Sequence, residues 1–249
     1  MNYSKIKHIS FDLWMTLIKS HPQYKGARVT AIYQFIKNKF GVNIDGKTIT
    51  EVVTDVEKGC DFSNEITGGQ ISQFTCYLAI MEKLHLDTDG MHMSDFKELN
   101  DSLFSLLQLY PPSIIGGDYT LDCLKQLRDS GITMNIASNT SFITGKEMDL
   151  AFMDAYFGDI FKFKVYSDEL GFSKLSLHFY DAVLNQVEDS VGMLSKSEIL
   201  HIGDNKHTDG ASSKFGFTFI HTNNISETLQ LLTTQLCTHK HTRSEERRV

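Results

Sequence analysis

Residues 9–17 read Ile9-Ser10-Phe11-Asp12-Leu13-Trp14-Met15-Thr16-Leu17, a short apolar run that ends on an aspartate before the chain turns. The run follows Lys5 and Lys7 and is rich in Ile and Phe, which predicts a buried β-strand. In open parallel sheets the reactive groups lie just beyond the carboxyl ends of strands. Asp12 is therefore a candidate for chemistry, with a helix cap or the start of a turn as the alternative.

The composition is that of an ordinary soluble globular protein. Of the 249 residues, 41% are hydrophobic and 22% are charged, which is enough for a sizeable core. The formal net charge is -7, and no basic stripe with interleaved aromatic residues precedes the last few residues, so no nucleic-acid partner is expected. The acidic balance suits a small-molecule site in which a lysine or a metal supplies positive charge locally.

The sequence predicts a cytoplasmic protein without a membrane partner. The N-terminus lacks the apolar segment of a signal peptide, and no apolar stretch is long enough to span a bilayer. The cysteines lack CxxC spacing, which predicts reduced thiols and neither a zinc site nor a disulfide framework. They are Cys60, Cys76, Cys123 and Cys237. No pattern in the chain indicates an oligomeric state.

A helical insertion is predicted over residues 21–112. The prolines of the chain, Pro22, Pro111 and Pro112, bracket this segment. Apolar residues recur inside it at helical spacing, which we interpret as helix packing. The three stripes are Val29, Ile32, Ile36 and Phe40; Ile71, Phe74, Leu78 and Met81; and Phe96, Leu99, Leu103, Leu106 and Tyr110. A weaker helix is expected over Thr48 to Gly59, followed by a loop over Asp61 to Gln70.

Helices and strands alternate after the insertion. Strands are predicted between helices at four places, namely 132–136, 161–166, 198–202 and 217–220. This alternation implies an α/β fold with a doubly wound parallel sheet. We therefore expect an α/β core made of residues 1–20 and 113–237, an inserted α-helical cap over 21–112, and a flexible basic tail over 238–249.

Polar residues follow three of the predicted strands. Asp12, the pair Ser138-Asn139 and the pair Gly203-Asp204 stand at strand ends, which a parallel sheet brings to one edge. Two carboxylates in one crevice repel each other unless a cation lies between them, and Mg²⁺ favours one or two carboxylates plus waters and phosphate oxygens. Asp12 and Asp204 are thus a candidate Mg²⁺ pair. Asp209 is a candidate for ordering the waters of the metal, and a helix cap is the alternative for each aspartate.

The ordered motifs resemble those of the haloacid dehalogenase superfamily of hydrolases. They are Asp12 with Thr16, Ser138-Asn139, Lys174 in the predicted loop Ser167-x-Glu169-x-Gly171-x-x-Lys174, and Gly203-Asp204 with Asp209. The resemblance covers the whole predicted core, and the helical insertion corresponds to the cap of the family's first cap class. Four motifs in this order form a specific signal, although each one alone is common.

The resemblance implies a phosphohydrolase whose substrate is a small phosphorylated metabolite. Asp12 would attack phosphorus and form an aspartyl phosphate, which water later hydrolyses, with Thr16 and Lys174 as further catalytic residues. Ser138, the main-chain amide of Asn139 and Lys174 would hold the phosphate oxygens.

The resemblance also implies Mg²⁺ as the cofactor. Its protein ligands would be Asp12, the main-chain carbonyl of Trp14, and Asp204, with Asp209 as the further acidic residue of the metal site. Because the ligand at position 14 would be a main-chain carbonyl, any side chain at that position is compatible with it.

The side chain at position 14 departs from the pattern of the family's phosphatases. They carry DxDxT, in which the second aspartate protonates the leaving group, whereas this chain has Trp14. Tryptophan cannot exchange a proton, and loss of a general acid or base costs on the order of 10²- to 10⁴-fold in rate. A phosphatase could use substrates with good leaving groups, or an acid from the cap, for which His21 is the nearest candidate.

Two other interpretations of Trp14 stay open. One is a 2-haloacid dehalogenase-like hydrolase, a branch that also has an aromatic residue at this position but needs no Mg²⁺ and usually lacks the acidic Gly-Asp motif, so Asp204 argues against it. The other is a low-turnover module that binds a phosphorylated ligand. Phe62, Asn64 and Glu65 lie in the predicted cap loop and are candidates for substrate contact, with an ordinary loop role as the alternative.

Overall fold

The central sheet has five parallel strands. They are β1 (His8–Phe11), β4 (Thr133–Ser138), β5 (Phe163–Tyr166), β6 (Ile199–Gly203) and β7 (Thr218–His221), numbered in chain order. Their order in the sheet is β5-β4-β1-β6-β7, so β1 lies between β4 and β6 and pairs with both. The structure is a computed structural model that describes residues 3–246, with the backbone alone described for 238–246.

A unit of four helices is inserted between β1 and β4. Its members are α1 (Tyr24–Phe40), α2 (Gly46–Thr67), α3 (Gln73–Lys83) and α4 (Met93–Leu109). They pack around a hydrophobic cluster of their own, in which Ile32, Val53 and Ile80 are fully buried. The chain enters and leaves this unit through an antiparallel ribbon of β2 (Ile18–Lys19) and β3 (Ser113–Ile114). The division into core and cap between residues 20 and 21 and between 112 and 113 stays a prediction.

Helices cover both faces of the sheet, so the predicted doubly wound α/β fold is confirmed. They are α5 (Asp118–Asp129), α6 (Gly145–Met148), α7 (Asp154–Phe157), α8 (Ser167–Leu170), α9 (Leu177–Ser190), α10 (Ala211–Phe215) and α11 (Ile225–Glu246). Helix α5 packs against α11, and α9 packs against α10. Successive strand residues point to opposite faces, so Ile136 belongs to the core under α5 and α11 and Ala137 to the core under α9 and α10.

Helix α2 is longer than the sequence predicts. The expected loop over Asp61 to Gln70 is mostly helical, because α2 continues to Thr67 and ends at Gly68, whose φ is 70°. The buried face of the helix runs on to Asn64, whose side-chain oxygen accepts a hydrogen bond from the N–H of Ile71 at 2.8 Å. Because Asn64 is buried and has this hydrogen-bond partner beyond the helix end, α2 continues through a polar segment that the sequence pattern predicts to be a loop.

Two further stretches differ in extent from the prediction. The expected loop from Ser167 to Lys174 begins with the single turn of α8, which ends at Gly171 with φ 75°. The backbone of α11 continues to Glu246, into the predicted tail 238–249, and residues 247–249 of that tail lie outside the described residues. In the described part of the chain, no helix is both long and apolar enough to cross a membrane.

Buried polar side chains line one face of the central strands. His8, Ser10, Asn135 and His201 are fully buried. The two ring nitrogens of His8, Nδ1 and Nε2, each lie 2.8 Å from a side-chain oxygen, of Thr133 and Asn135 respectively. A protonated ring would place a charge in this interior, and burial therefore lowers the pKa of His8 to about 4.

We expect His8 to make the protein less stable in acid. Its folded pKa of about 4 lies below the ordinary 6.5, so the unfolded chain binds more protons and stability is lost as the pH falls from about 6.5 to about 4. At pH 4.5 the loss due to His8 should be about 2–3 kcal/mol. Urea unfolding at pH 7 and pH 4.5 measures this loss, and comparison with His8→Gln isolates it. Equal losses in the two proteins would contradict the assignment.

Candidate active site

The polar residues predicted at strand ends meet at one edge of the sheet. Asp12 directly follows β1, Asn139 directly follows β4, and Asp204 directly follows β6. Lys174 reaches the same edge from the segment between α8 and α9. Since β1 lies between β4 and β6, Asp12 stands at the centre of this edge, where open α/β sheets bind their ligands.

A buried lysine between two aspartates forms the centre of the site. The Nζ atom of Lys174 lies 2.5 Å from Oδ1 of Asp12 and 2.5 Å from Oδ1 of Asp209. The three side chains are at most 6% exposed. The main-chain N–H of Lys174 donates to Oδ1 of Asn139 at 2.7 Å, which ties the lysine segment to the end of β4. Lys174 therefore contacts each of the predicted residues Asp12, Asn139 and Asp209.

A tight turn after β1 presents the carboxylate of Asp12. The N–H of Ile18 donates to the carbonyl of Leu13, and Thr16 Oγ1 donates to Oδ2 of Asp12 at 2.7 Å. Within this turn Met15 has φ 62°, a left-handed conformation that costs a residue other than glycine about 1–2 kcal/mol. Strained residues of this kind concentrate at functional sites. Thr16 is thus a direct partner of Asp12.

Asp209 is held from several sides, and one of its partners is a residue that the sequence analysis leaves without a role. Its Oδ1 also lies 3.2 Å from Nε2 of His201, and its Oδ2 accepts the N–H of Asn205 at 3.0 Å. Gly203 makes room for this carboxylate, since a Cβ there would stand 2.1 Å from Oδ2. His201 and Gly203 are two residues apart on one strand and so share a face. That spacing is the signal that points to His201.

Three carboxylates face one ammonium group, and their pKa values differ accordingly. Burial raises the pKa of Asp12 to about 7, against the pull of Lys174 and with a further rise from Asp209. Burial also acts to raise the pKa of Asp209, but Lys174 and His201 outweigh it and hold that pKa well below its usual range. Burial and the charge of Asp209 raise the pKa of the half-buried Asp204.

The acidic residues fit a divalent cation. Carboxylate oxygens of Asp12, Asp204 and Asp209 lie within 4.8 Å of one another. These three carboxylates and the ammonium of Lys174 leave a formal excess of two negative charges. Burial is the largest cause of the raised pKa values of Asp12 and Asp204, and the negative charge of Asp209 raises both further. Closely spaced hard oxygens with unbalanced negative charge are a donor set suited to Mg²⁺.

Ser138 and Asn139 end the strand next to β1. Ser138 is fully buried, and its hydroxyl donates to the main-chain carbonyl of Asn139 at 3.0 Å. The following residue, Thr140, donates its N–H to the hydroxyl of Ser167 at 2.8 Å, which braces the loop against the end of β5. The loop is therefore fixed before any ligand is bound.

A cavity of about 340 Å³ lies beside this centre. Trp14 and Asn139 line its sheet side, and Arg28, Asn64 and Glu65 belong to its wall on the side of α1 and α2. The ring of Trp14 packs edge to face on Phe152, with 6.4 Å between the centroids. A cavity of this volume is in the range that holds small molecules.

Charged side chains of α1 and α2 meet on that wall. Arg28 is 4% exposed, pairs with Glu57 at 2.9 Å and lies 4.8 Å from the ring centre of Phe142. Lys25 lies 3.5 Å from the same glutamate. Glu65 has a different partner, because its Oε1 accepts a hydrogen bond from Nδ2 of Asn205 at 3.0 Å. Asn205 directly follows Asp204.

Of the cap residues that the sequence singles out, two lie in the cavity wall and two lie elsewhere. Asn64 and Glu65 line the cavity, but from helix α2 and not from a loop. Phe62 is 64% exposed and does not line it. His21 stacks near Tyr110, with ring centroids 5.3 Å apart, and accepts the N–H of Gln23. The structure therefore places His21 at the entry of the helical unit and not in the cavity.

The chain is similar to known hydrolases in sequence pattern and in fold. A family model described as haloacid dehalogenase-like hydrolase matches residues 6–212. Solved structures with a similar fold include the putative HAD-hydrolase YfnB from Bacillus subtilis bound to magnesium and a HAD phosphatase from Thermococcus onnurineus. Each is 15% identical to this chain, and each alignment covers 91% of this chain and 98% of the other protein, with a TM-score of 0.62.

A dehalogenase is also among the similar structures. The 2-haloacid dehalogenase from Pseudomonas syringae pv. Tomato DC3000 has 16% identity, covers 92% of this chain and 99% of its own, and has a TM-score of 0.60. No curated protein matches the chain significantly. At these identities the structural similarity shows the fold, and the fold is shared by phosphatases and dehalogenases.

We expect Lys174→Met to lower the free energy of unfolding by about 3–5 kcal/mol, because it leaves two buried aspartates without their cation. Urea unfolding at pH 7 measures the change. Lys97→Met is the matched control, since Lys97 pairs with Asp101 on an exposed helix face, and it should leave the free energy of unfolding unchanged. A loss no larger for Lys174→Met than for the control would contradict the role of the buried pair.

Proposed function

The chain belongs to the haloacid dehalogenase-like hydrolases, and from this premise we propose that it is a Mg²⁺-dependent phosphohydrolase of small phosphorylated metabolites. Asp12 is the nucleophile in this proposal and forms the aspartyl-phosphate intermediate. The substrate body occupies the cavity lined by Trp14 and Asn139, which lies beside the nucleophile.

The observation that supports phosphoryl transfer is the unbalanced negative charge around Asp12. Asp204 and Asp209 keep carboxylate oxygens within 4.8 Å of those of Asp12, with Lys174 as their ammonium partner. A phosphate group carries negative charge itself, so this edge of the sheet accepts it only when further positive charge is present. A divalent cation supplies that charge. Halide displacement needs no Mg²⁺, so it would leave Asp204 without a metal to bind.

Asp12 and Asp204 are the side chains that would hold the metal, together with the main-chain carbonyl of Trp14. Asp209 is fully buried and contacts Lys174, His201 and Asn205. In this proposal Asp209 therefore fixes Lys174 and the Asn205 loop and orders water near the metal. When bound, Mg²⁺ supplies positive charge that draws in the phosphate and stabilises the transferring phosphoryl group.

The protein's own groups carry the chemical steps. Asp12 attacks phosphorus, and the bond from phosphorus to the leaving oxygen breaks. Lys174 and Thr16 each contact one oxygen of Asp12 and so fix the direction of attack. Ser138 and the main-chain N–H of Asn139, at the end of the neighbouring strand, hold the phosphate oxygens. Water then cleaves the aspartyl phosphate and restores Asp12.

A 2-haloacid dehalogenase-like reaction is the second candidate, and Trp14 favours it. Its ring lines the cavity at a position where the family's phosphatases carry an acid, and an apolar surface suits a substrate without a phosphate. In that reaction Asp12 would displace halide and form an ester. A low-turnover module that binds a phosphorylated ligand would use the same contacts without the chemistry.

We infer a cytoplasmic location from the cysteines. All four are free thiols, although Sγ of Cys60 and Sγ of Cys76 lie only 3.3 Å apart. An oxidising compartment favours disulfides between thiols at such short range, so unpaired thiols suit a reducing one.

We expect phosphate release that depends on both Mg²⁺ and Asp12. The assay measures phosphate from a panel of aryl, acyl and alkyl phosphates, with Mg²⁺ or with EDTA. Wild type should turn over with Mg²⁺ and lose activity in EDTA. Asp12→Asn should be inactive, because an amide oxygen is a poor nucleophile and the covalent intermediate cannot form.

Two other results of that assay would point away from the phosphohydrolase. Chloride release from 2-chloropropionate without metal, and no phosphate from any ester, would establish the dehalogenase. No product in either assay, together with saturable binding of a phosphate ester, would leave the binding module.

Mg²⁺ should stabilise the folded protein, because the unfolded chain does not assemble the acidic site. At about 100 times the dissociation constant the gain is about 3 kcal/mol. Thermal unfolding with and without Mg²⁺ measures it, and Asp204→Asn should abolish the shift. Asp189→Asn, an exposed aspartate on α9, should keep the full shift. A shift that survives Asp204→Asn would place the metal elsewhere.

A further inference from the structure

The proposed reaction needs a proton that the first motif does not supply. The leaving oxygen of an alkyl phosphate departs as a strong base unless it is protonated. Trp14 has no exchangeable acidic proton, and His21 does not line the cavity. The donor must then come from a titratable group that reaches the cavity from another element.

The last turn of α2 is fastened to the segment that carries Lys174. The hydroxyl of Ser173 donates to the carbonyl of Asn64 at 2.7 Å, and the main-chain N–H of Ser173 donates to the carbonyl of Gly68 at 2.9 Å. Ser173 directly precedes Lys174, which contacts Asp12. These bonds fasten the C-terminal turn of α2 to the segment whose lysine contacts Asp12.

Glu65 lies on that turn and reaches the other side of the site. Its Oε1 accepts a hydrogen bond from Asn205, the residue after Asp204. One helical turn is therefore tied to the neighbour of Lys174 and to the neighbour of Asp204. Lys174 contacts Asp12, and Asp204 has a carboxylate oxygen within 4.8 Å of one of Asp12. Glu65 therefore belongs to a turn that is attached on both sides of the site, and it lines the cavity beside it.

The other carboxylates of this wall are less suited to the task. Glu57 is neutralised by Arg28 at 2.9 Å and Lys25 at 3.5 Å. Asp61 lies one turn earlier on α2, and in the part of the chain that the structure describes it forms no hydrogen bond to the segments that carry Lys174 and Asp204, whereas Glu65 does. Within the described residues, no lysine or arginine forms an ion pair with Glu65, whose carboxyl group accepts a hydrogen bond from the side-chain amide of Asn205.

One neighbouring carboxyl group on this wall has a raised pKa. Burial raises the pKa of the neighbouring Asp61 to about 6, and the charges of Glu57 and Glu65 add to the rise.

We propose that Glu65 is the acid and base of the reaction and replaces the aspartate that is missing at position 14. The inference rests on the proposed phosphohydrolase. As Asp12 bonds to phosphorus and the bond to the leaving oxygen breaks, Glu65 gives its proton to that oxygen and an alcohol departs. Glu65 then takes a proton from the water that attacks phosphorus. The bond from phosphorus to Asp12 breaks, phosphate leaves, and both carboxyl groups regain their starting states.

The test compares leaving groups of different basicity. The ratio kcat/KM reports only the steps up to departure of the leaving group, and p-nitrophenolate departs without a proton. Glu65→Gln should lower kcat/KM for an alkyl phosphate such as 2-glycerol phosphate by about 10²- to 10⁴-fold. For p-nitrophenyl phosphate the loss should stay below about tenfold. Glu65→Asp should recover part of the alkyl phosphatase activity.

Glu51→Gln is the matched control, since Glu51 is an exposed glutamate on the same helix and should keep wild-type rates. Circular dichroism and thermal unfolding of each variant separate misfolding from lost chemistry. Equal losses of Glu65→Gln on both substrates would overturn the inference and show that Glu65 only fastens the helix. A leaving-group-selective loss in Asp61→Asn but not in Glu65→Gln would also overturn it.

The failure of this inference can be told apart from the failure of the proposed function. A wild-type protein that cleaves aryl and acyl phosphates but no alkyl phosphate is a phosphohydrolase without an acid, which overturns the role of Glu65 alone. A wild-type protein that releases no phosphate from any substrate overturns both.

Discussion

The site depends on the ammonium group of Lys174, which is buried between Asp12 and Asp209 at 2.5 Å from each. Without this cation the two carboxylates would be like charges in a medium of low dielectric, where such a pair is strongly unfavourable. The position of Lys174 is in turn fixed by Asn139 and, through Ser173, by the end of α2. The electrostatics of the sheet edge and the attachment of the helical unit therefore share one short segment of chain.

Alternate side chains of the central strand β1 point to an apolar face of the sheet and to a polar one. Ile9 and Phe11 point into the apolar core under α5 and α11, whereas Ser10 points to the opposite face and contacts His201 at 3.2 Å. His201 in turn contacts Asp209, so a chain of polar contacts runs from the sheet interior to the edge where Asp12 lies. Hydrogen bonds of this kind hold buried polar groups in one arrangement. Asp12, the proposed nucleophile, thus sits on a rigid support before any ligand binds.

Sequence patterns were informative where the cause is local. Strand ends, their polar residues and the spacing of Asp12 and Thr16 follow from periodicity within a few positions. The alternation of strands and helices also predicts that the distant strand ends meet at one edge, but it does not predict the individual side-chain contacts between distant segments. Helix α2 continues into the predicted loop because the side chain of Asn64 accepts a hydrogen bond from Ile71, beyond the helix end. His201 reaches its contacts only because β1 and β6 are neighbours in the sheet. The contact of Glu65 with Asn205 joins residues 140 positions apart, which no local pattern predicts.

The two short strands at the base of the helical unit have a topological consequence. In the ribbon, Lys19 is paired with Ser113 and Ile18 with Ile114, which is the antiparallel register of a hairpin. All of α1 to α4 therefore occupies the place of a hairpin loop. A tight turn could join Lys19 to Ser113 without moving either strand, because their pairing already brings the two chain ends together. The helical unit is thus an elaboration of one connection of the parallel sheet, and Ser173 fastens it to the segment that carries Lys174.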